Sequence, residues 1–326
     1  MGFPAEGLRR AGGHPRLANV TSQDGDTDSH GRASNKHAFA PGTLVDERYK
    51  ITRLIGSGIS GEVYEASDQA LGVAVALKTL REEMARHPVQ MERFRREIQN
   101  ARRVTHPNVC RIFDMGVHRH GKHQRFFLTM EFVPGHSLAR FISEKAPLST
   151  ADTLPLLTQI AGGLQAAHDS GVVHRDLKPG NIMIQTANTG TDLLRAIITD
   201  FGLAISTDQL GIGLTESDEL LGTPEYMAPE QATVGTATPA TDVYALGLIA
   251  YEMLAKRRPF DAEATPIATV LKRNREPPRP LRVLLPNIDP TWDAAVLRCL
   301  QKDPAARFQR PVDFITALTS GKGGRR

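Results

Sequence analysis

The sequence predicts an α+β protein of two lobes, a small antiparallel β lobe with one helix followed by a larger, mainly α-helical lobe. Three observations predict it. Short runs rich in Val, Ile, Tyr and Thr, separated by Gly-containing turns, fill residues 49–80. Apolar residues then recur at steps of three and four, at Met91, Phe94, Ile98 and Ala101, which is the period of an amphipathic helix. Beyond Pro134 the segments LPLLTQIAGGLQAAHDSG, VYALGLIAYEMLA and TWDAAVLRCLQK read as helices, set apart by Pro-rich breaks such as REPPRPLRVLLP.

Each element follows in chain order. Residues 1–41 are rich in Gly, Asp, Ser, Asn and His, and QDGDTDSHGRASN has almost no apolar residue. Such a segment cannot bury enough surface to offset its ordering entropy and is expected to be a disordered tail. A domain is expected over 42–320, its small lobe about 48–133 and its large lobe about 134–319, with a second tail at 321–326. YKITRLI, GEVYEAS and VAVALKTL are the first strands, with order beginning near Tyr49. After the helix at 91–101, VCRIFDMGV and RFFLTMEFV are two more. Between them HRHGKH carries His118, His120 and His123, a metal site or, more simply, a solvated hairpin turn. The longest apolar run, Val243 to Ala255, contains Glu252 and is too short to span a bilayer, so it reads as a buried helix.

Composition excludes several classes. A net charge of +4 does not by itself argue for nucleic acid, and the basic run Arg93, Arg95, Arg96, Arg102 and Arg103 reads as the solvent side of a helix. Two cysteines, Cys110 and Cys299, far apart in sequence, build neither a disulfide framework nor a thiolate metal site. The start MGFPAEGLRR has no apolar secretory core, and Glu6 stands where a myristoylation signal wants Ser or Thr. A reducing, cytoplasmic location without a membrane segment is expected.

LIGSGISGEVY contains G-x-G-x-x-G at Gly56, Gly58 and Gly61. In a dinucleotide fold those glycines end a strand and open a helix. Here a strand follows them, so the loop joins two antiparallel strands; no G-K-[ST] follows, so it is not a Walker A loop either. What remains is a plain hairpin turn or a loop over phosphates. Seventeen residues after Gly61, Lys78 stands in the apolar strand VALK. A buried Lys is costly unless paired, so it either reaches solvent or meets phosphates. Glu97 lies on or beside the inward face of the helix and is its natural partner.

Further on, His174-Arg175-Asp176-Leu177-Lys178-Pro179-Gly180-Asn181, then Asp200-Phe201-Gly202, then Ala228-Pro229-Glu230 complete an ordered set. Together with the glycine loop, Lys78 and Glu97, this set resembles the protein kinases, from about Tyr49 to about Leu318. HPNVCRIFD, GTPEYMAPEQ and DVYALGLIAYEML resemble the bacterial branch of eukaryotic-like Ser/Thr kinases. The resemblance implies the bilobal kinase fold, ATP as cofactor, and Mg²⁺ (or Mn²⁺) held by Asn181 and Asp200. It implies that Asp176 orients the substrate hydroxyl and takes its proton, that Lys178 neutralises charge near the transferred group, and that Lys78, held by Glu97, grips the α- and β-phosphates. It places Ile55, Gly56, Ser57, Gly58 and Gly61 over the phosphates, Val63 and Ala76 on adenine, Met130 at the gatekeeper position and Glu131 to Val133 at the hinge. For Val63 and Ala76 ordinary strand core is the other reading.

By the same resemblance His174 stacks with Phe201, Glu230 pairs with Arg307, Asp242 anchors the catalytic loop, and Gly202 allows the backbone to swing. Lys178 and Thr223 fit a Ser/Thr rather than a Tyr kinase. Arg175 implies an activation loop ordered by phosphate, with Thr215 or Ser217 the expected acceptor. Ser60 replaces the aromatic that many kinases carry before the third glycine, so a smaller, more mobile lid is expected. The implied partners are protein substrates and a second copy of the chain for autophosphorylation. Many bacterial relatives continue into a membrane span and a sensor domain, which leaves open whether this is a soluble kinase or the kinase part alone. A kinase-like binding module without activity would show Lys78, Asp176 or Asp200 degraded, and all three are intact. A small-molecule kinase would not need the polypeptide-docking segment GTPEY…APE.

Overall fold

A computed structural model describes residues 37–320 except 59–60, 81–86, 122, 187–193, 202–223, 234–236 and 261–265. The small lobe is a six-stranded antiparallel sheet in the order β1-β2-β3-β4-β6-β5. Its strands are β1 (Leu44–Val45), β2 (Tyr49–Gly58), β3 (Gly61–Asp68), β4 (Val73–Thr79), β5 (Ile112–His120) and β6 (His123–Glu131). Helix α1 (Pro88–Ala101) lies between β4 and β5 in the chain and buries Met91, Phe94, Ile98 and Ala101, the four residues its period singles out. The HRHGKH segment is a hairpin that closes at His120 opposite His123.

The sheet buries both faces, which explains why Val75 to Thr79 are all buried although a one-sided strand would alternate. Val75 and Leu77 join Tyr49, Ile51, Tyr64, Ala66 and Phe127 on the outer face. Ala76 joins Met91, Phe94, Ile98, Leu128 and Met130 on the face toward α1. Phe39 belongs to the outer cluster and is only 6 % exposed. The packed unit therefore begins at His37 and takes in residues 37–41, which the sequence assigns to the tail. The physical reason is one apolar residue at the edge of a polar stretch, whose average composition hides it.

The large lobe starts at β7 (His136–Ser137), which with β8 (Ile182–Thr186) and β9 (Leu194–Ile198) forms a small sheet. Helices α2 (Leu138–Lys145) and α3 (Thr150–Asp169) begin where Ser137 and Ser149 accept the Arg140 and Asp152 amides. After α4 (Pro229–Thr233) comes α5 (Pro239–Ala255), opened by a capping box between Thr238 and Thr241 and buried nearly all round, as an all-apolar helix must be. α6 (Pro266–Arg275) packs against α4, while α7 (Leu281–Leu284), α8 (Pro290–Cys299) and α9 (Pro311–Ser320) pack against α5. The break REPPRPLRVLLP thus contains one short helix, α7. Residues 108–110 join the lobes: the Ile198 amide donates to the Asn108 carbonyl at 2.9 Å and the Cys110 amide to the Ile198 carbonyl at 2.8 Å.

Candidate active site

Register brings the small-lobe candidates onto one face. Val63 sits opposite Lys78, Ala76 opposite Met130, and Lys78 opposite Leu128, so with a side-chain period of two all five point the same way. Ala76, Met130 and Val133 are buried, and Val63 packs against them. Behind the expected hinge, the Cys110 thiol donates to the Glu131 carbonyl at 3.5 Å. Burial, then the charges of Glu131 and Asp200, push that thiol far up, so it stays protonated.

The three glycines differ. A Cβ at Gly61, where φ is +127°, would stand 2.0 Å from the Thr79 carbonyl oxygen, so the fold itself requires glycine there. At Gly56 and Gly58 a Cβ would meet nothing within 4 Å. Among the described residues no neighbour requires glycine at those two positions, which is what a surface left bare for close approach by a ligand looks like. Ile55, beside them, is exposed, and Ser57 pairs with Glu62 across the hairpin. Ser60 lies outside the described residues.

The catalytic loop is tied from below. Asp242 in α5, 1 % exposed, accepts the His174 amide at 2.8 Å and the Arg175 amide at 3.0 Å. His168 also donates to it at 2.7 Å, a contact that sequence reading missed. These bonds hold Arg175 at φ 69°, a left-handed conformation that costs a non-glycine residue about 1–3 kcal/mol. The His174 ring packs on Phe201 with centroids 4.7 Å apart, as expected. Around Asp176 the loop converges: Lys178 Nζ lies 2.7 Å from Asp176 Oδ2, and the Asn181 amide donates to the Asp176 carbonyl at 2.8 Å and to Oδ2 at 3.2 Å. The Thr199 amide, beside Asp200, donates to the Asn181 carbonyl at 2.8 Å, so the two candidate metal ligands belong to one bonded stretch.

Asp200 and Asn181 offer one carboxylate and one amide, both hard oxygen donors. Two such ligands cannot enclose a divalent cation, but they suit Mg²⁺ shared with phosphate oxygens and water. Among the described residues no cluster of three or more His, Cys, Asp or Glu could hold a metal alone.

One expected pair is not formed. Lys78, 2 % exposed, places Nζ 2.9 Å from Asp200 Oδ1, while Glu97 is 2.5 Å from Arg175 Nη1. The Lys78–Glu97 pair is therefore a correction. The buried Lys78 ammonium takes the Asp200 carboxylate, and Glu97 takes the Arg175 guanidinium.

The expected Glu230–Arg307 pair is present and bidentate, at 2.8 and 2.7 Å. Beside it, buried Arg273 of α6 donates to the carbonyls of Met227, at 2.6 Å, and Glu225. Nothing in its local sequence distinguishes Arg273 from its neighbours Lys272 and Arg275. Thr223, Thr215, Ser217 and Gly202 lie outside the described residues.

The profile of the family described as "Protein kinase domain" matches residues 49–314. The chain belongs to the protein kinase family. Within it, the chain is a Ser/Thr kinase domain of the bacterial branch. The kinase domain is 37% identical over 286 residues to the serine/threonine-protein kinase PknA of Mycobacterium tuberculosis, covering 87% of this chain and 64% of that protein. It is 35% identical over 280 residues to a Corynebacterium glutamicum protein named "Probable serine/threonine-protein kinase PknB", covering 84% of this chain and 42% of that one. The chain thus spans less than two-thirds of the length of these relatives. The crystal structure of the M. tuberculosis PknI kinase domain superposes with a TM-score of 0.68 at 26% identity, over 88% of this chain and 100% of that one. Among the described residues no helix of the kinase domain is long and apolar enough to cross a membrane.

Proposed function

We propose that the kinase domain transfers the γ-phosphoryl group of ATP to Ser and Thr hydroxyls of proteins, its own activation segment included. The observation that carries this reading is the convergence of Lys178 and Asn181 on the Asp176 carboxylate, with Lys78 and Asp200 paired nearby. Phosphoryl transfer asks a protein for position and charge more than for covalent chemistry. Asp176 accepts the proton of the acceptor hydroxyl. Lys178, held on the same carboxylate, supplies positive charge where the phosphoryl group moves. The bare glycines 56 and 58 let backbone amides approach the β- and γ-phosphates, and the hinge Glu131 to Val133 takes adenine. Asp200 and Asn181 would hold Mg²⁺ (or Mn²⁺), which would supply positive charge against the phosphates.

The ion pairs support a second element of the reading, a resting state. In it Glu97 occupies Arg175 and Asp200 occupies Lys78. A phosphate on Thr215 or Ser217 competes for Arg175, because a doubly charged group outbids a carboxylate for a guanidinium. Glu97 is then free to pair with Lys78, and Asp200 to turn to the metal. The segment is tethered at both ends, by Phe201 against His174 and by Arg273 on Glu225 and Met227, so the acceptor is best supplied by a second copy. The proposed setting is the cytoplasm, where ATP is supplied and the two buried cysteines remain thiols.

The test is incubation with labelled ATP and Mg²⁺, alongside Asp176→Asn. The substitution is expected to lower transfer by about 10²–10⁴-fold. Equal incorporation in both proteins would refute the mechanism. Mass spectrometry of the product is expected to find phosphate at Thr215 or Ser217, and the initial rate to rise with the square of protein concentration.

A further inference from the structure

The segment 37–43 crosses the face of the small sheet opposite α1. Phe39 is its anchor. Its ring meets Tyr64, with centroids 5.7 Å apart, and the edge of His118 at 5.3 Å, while the Arg125 guanidinium lies 5.9 Å from its centroid. Two amides of the segment bond to the sheet: Ala38 donates to Glu62 Oε2 at 2.8 Å and Phe39 to the Tyr64 hydroxyl at 3.1 Å. His37 Nδ1 lies 2.9 Å from Glu62 Oε1, and the Tyr64 hydroxyl donates to Glu62 Oε2 at 2.5 Å. One carboxylate thus collects donors from three residues. Burial raises the Glu62 carboxyl, but the bonds from Tyr64, Ala38 and His37 outweigh it and hold the group below its usual range. Burial and the bond to Glu62 push Tyr64 up to about 12.

Glu62 is the residue after Gly61, at the root of the glycine loop's return limb. Its backbone is fixed from the other side: its amide donates to Thr79 Oγ1 at 3.0 Å, and the Thr79 hydroxyl donates to its carbonyl at 3.3 Å. Thr79 follows Lys78. One residue is therefore held between the N-terminal segment, through its side chain, and the strand that carries Lys78, through its backbone. Glu62 stands just past the end of the β3–β4 pairing at Val63 and Lys78, where β2 and β3 run on alone as the glycine hairpin.

We propose that Glu62 is a positioning residue for ATP: through it the strap His37–Phe39 sets the height of the glycine loop over the phosphates. The side chain of Glu62 points to the outer face with Tyr64, away from Val63 and Lys78, so it acts through the loop backbone and not by contact with the nucleotide. The proposal rests on the reading of the glycine loop as the cover of the phosphates.

The experiment measures KM for ATP and for a peptide substrate in the full chain, with Mg²⁺, for Phe39→Ala, Glu62→Ala and the two combined. Tyr64→Phe, which keeps the ring and removes the hydroxyl shared by Glu62 and Phe39, serves where Phe39→Ala fails to fold. Gly58→Val, at a position where an added Cβ meets nothing within 4 Å among the described residues, probes the loop itself. Each strap variant is expected to raise the ATP KM about three- to tenfold with the peptide KM within about twofold. The double variant is expected to be no worse than the stronger single, because both cut the same connection. An unchanged ATP KM in the strap variants, a parallel rise of both KM values, or effects that multiply would overturn the proposal. If Gly58→Val raises the ATP KM and the strap variants do not, the strap fails and the loop reading stands. If Gly58→Val also leaves it unchanged, the loop reading fails with it.

Discussion

Arg307 donates to both oxygens of Glu230 and to the carbonyls of Ala240, Gln301 and Lys302, and its guanidinium lies 4.8 Å from the centre of the Tyr244 ring. No other side chain has the donors or the plane to replace it. Arg307→Ala is expected to cost about 3–5 kcal/mol, because it strands a largely buried carboxylate, and Arg307→Lys to recover only part. Thermal unfolding measures both, and an unchanged Tm would contradict the assignment. This pair was legible because each partner belongs to a recognisable string. The partner of Glu97 was not: two cations of suitable type, Lys78 and Arg175, were available, and only the folded geometry chooses between them. Arg175→Ala removes both the partner of Glu97 and the proposed seat of an activating phosphate. In the wild type, prior incubation with ATP is expected to raise peptide turnover; in Arg175→Ala it is expected to leave turnover unchanged even where mass spectrometry finds the segment phosphorylated.

Among elements, α1 is readable from its period, α5 from one long apolar run, and the small-lobe strands from runs rich in Val, Ile, Tyr and Thr between Gly-containing turns. Strands β8 and β9 were not singled out, since IMIQT and LRAII are five residues each and apolar on a buried sheet, a length at which helix and strand look alike. The approach of α5 to α8 was equally hidden. A Cβ on Gly247 would stand 2.6 Å from Cys299 Cβ and 3.2 Å from a Leu300 methyl. Alanine would normally help a helix by about 1 kcal/mol, but here it must force two buried helices apart. Gly247→Ala is expected to destabilise the domain by about 1–3 kcal/mol, seen as a lower denaturant midpoint with an unchanged slope. A gain in stability would show that the helices are free to move apart.

For the molecule as a whole, the two-lobed plan follows from a change of period along the chain, and the candidate catalytic residues follow from short ordered strings. What the strings do not give is how the lobes are bonded, because Asn108 and Cys110 meet Ile198 across a long stretch of chain, nor that His168 joins the Asp242 anchor. The single tryptophan, Trp292, is buried in the same core as α5. On refolding, peptide phosphorylation is expected to return no earlier than the fluorescence change that marks burial of Trp292; activity ahead of that signal would contradict the dependence. Asp242 is the reason. It lies inside the most buried helix, yet its two oxygens hold the backbone on which Asp176 is mounted. A half-folded chain thus carries every reactive group and no working arrangement of them. A copy in which α5 is unfolded is expected to transfer no phosphate although Asp176, Lys178 and Asn181 are all present.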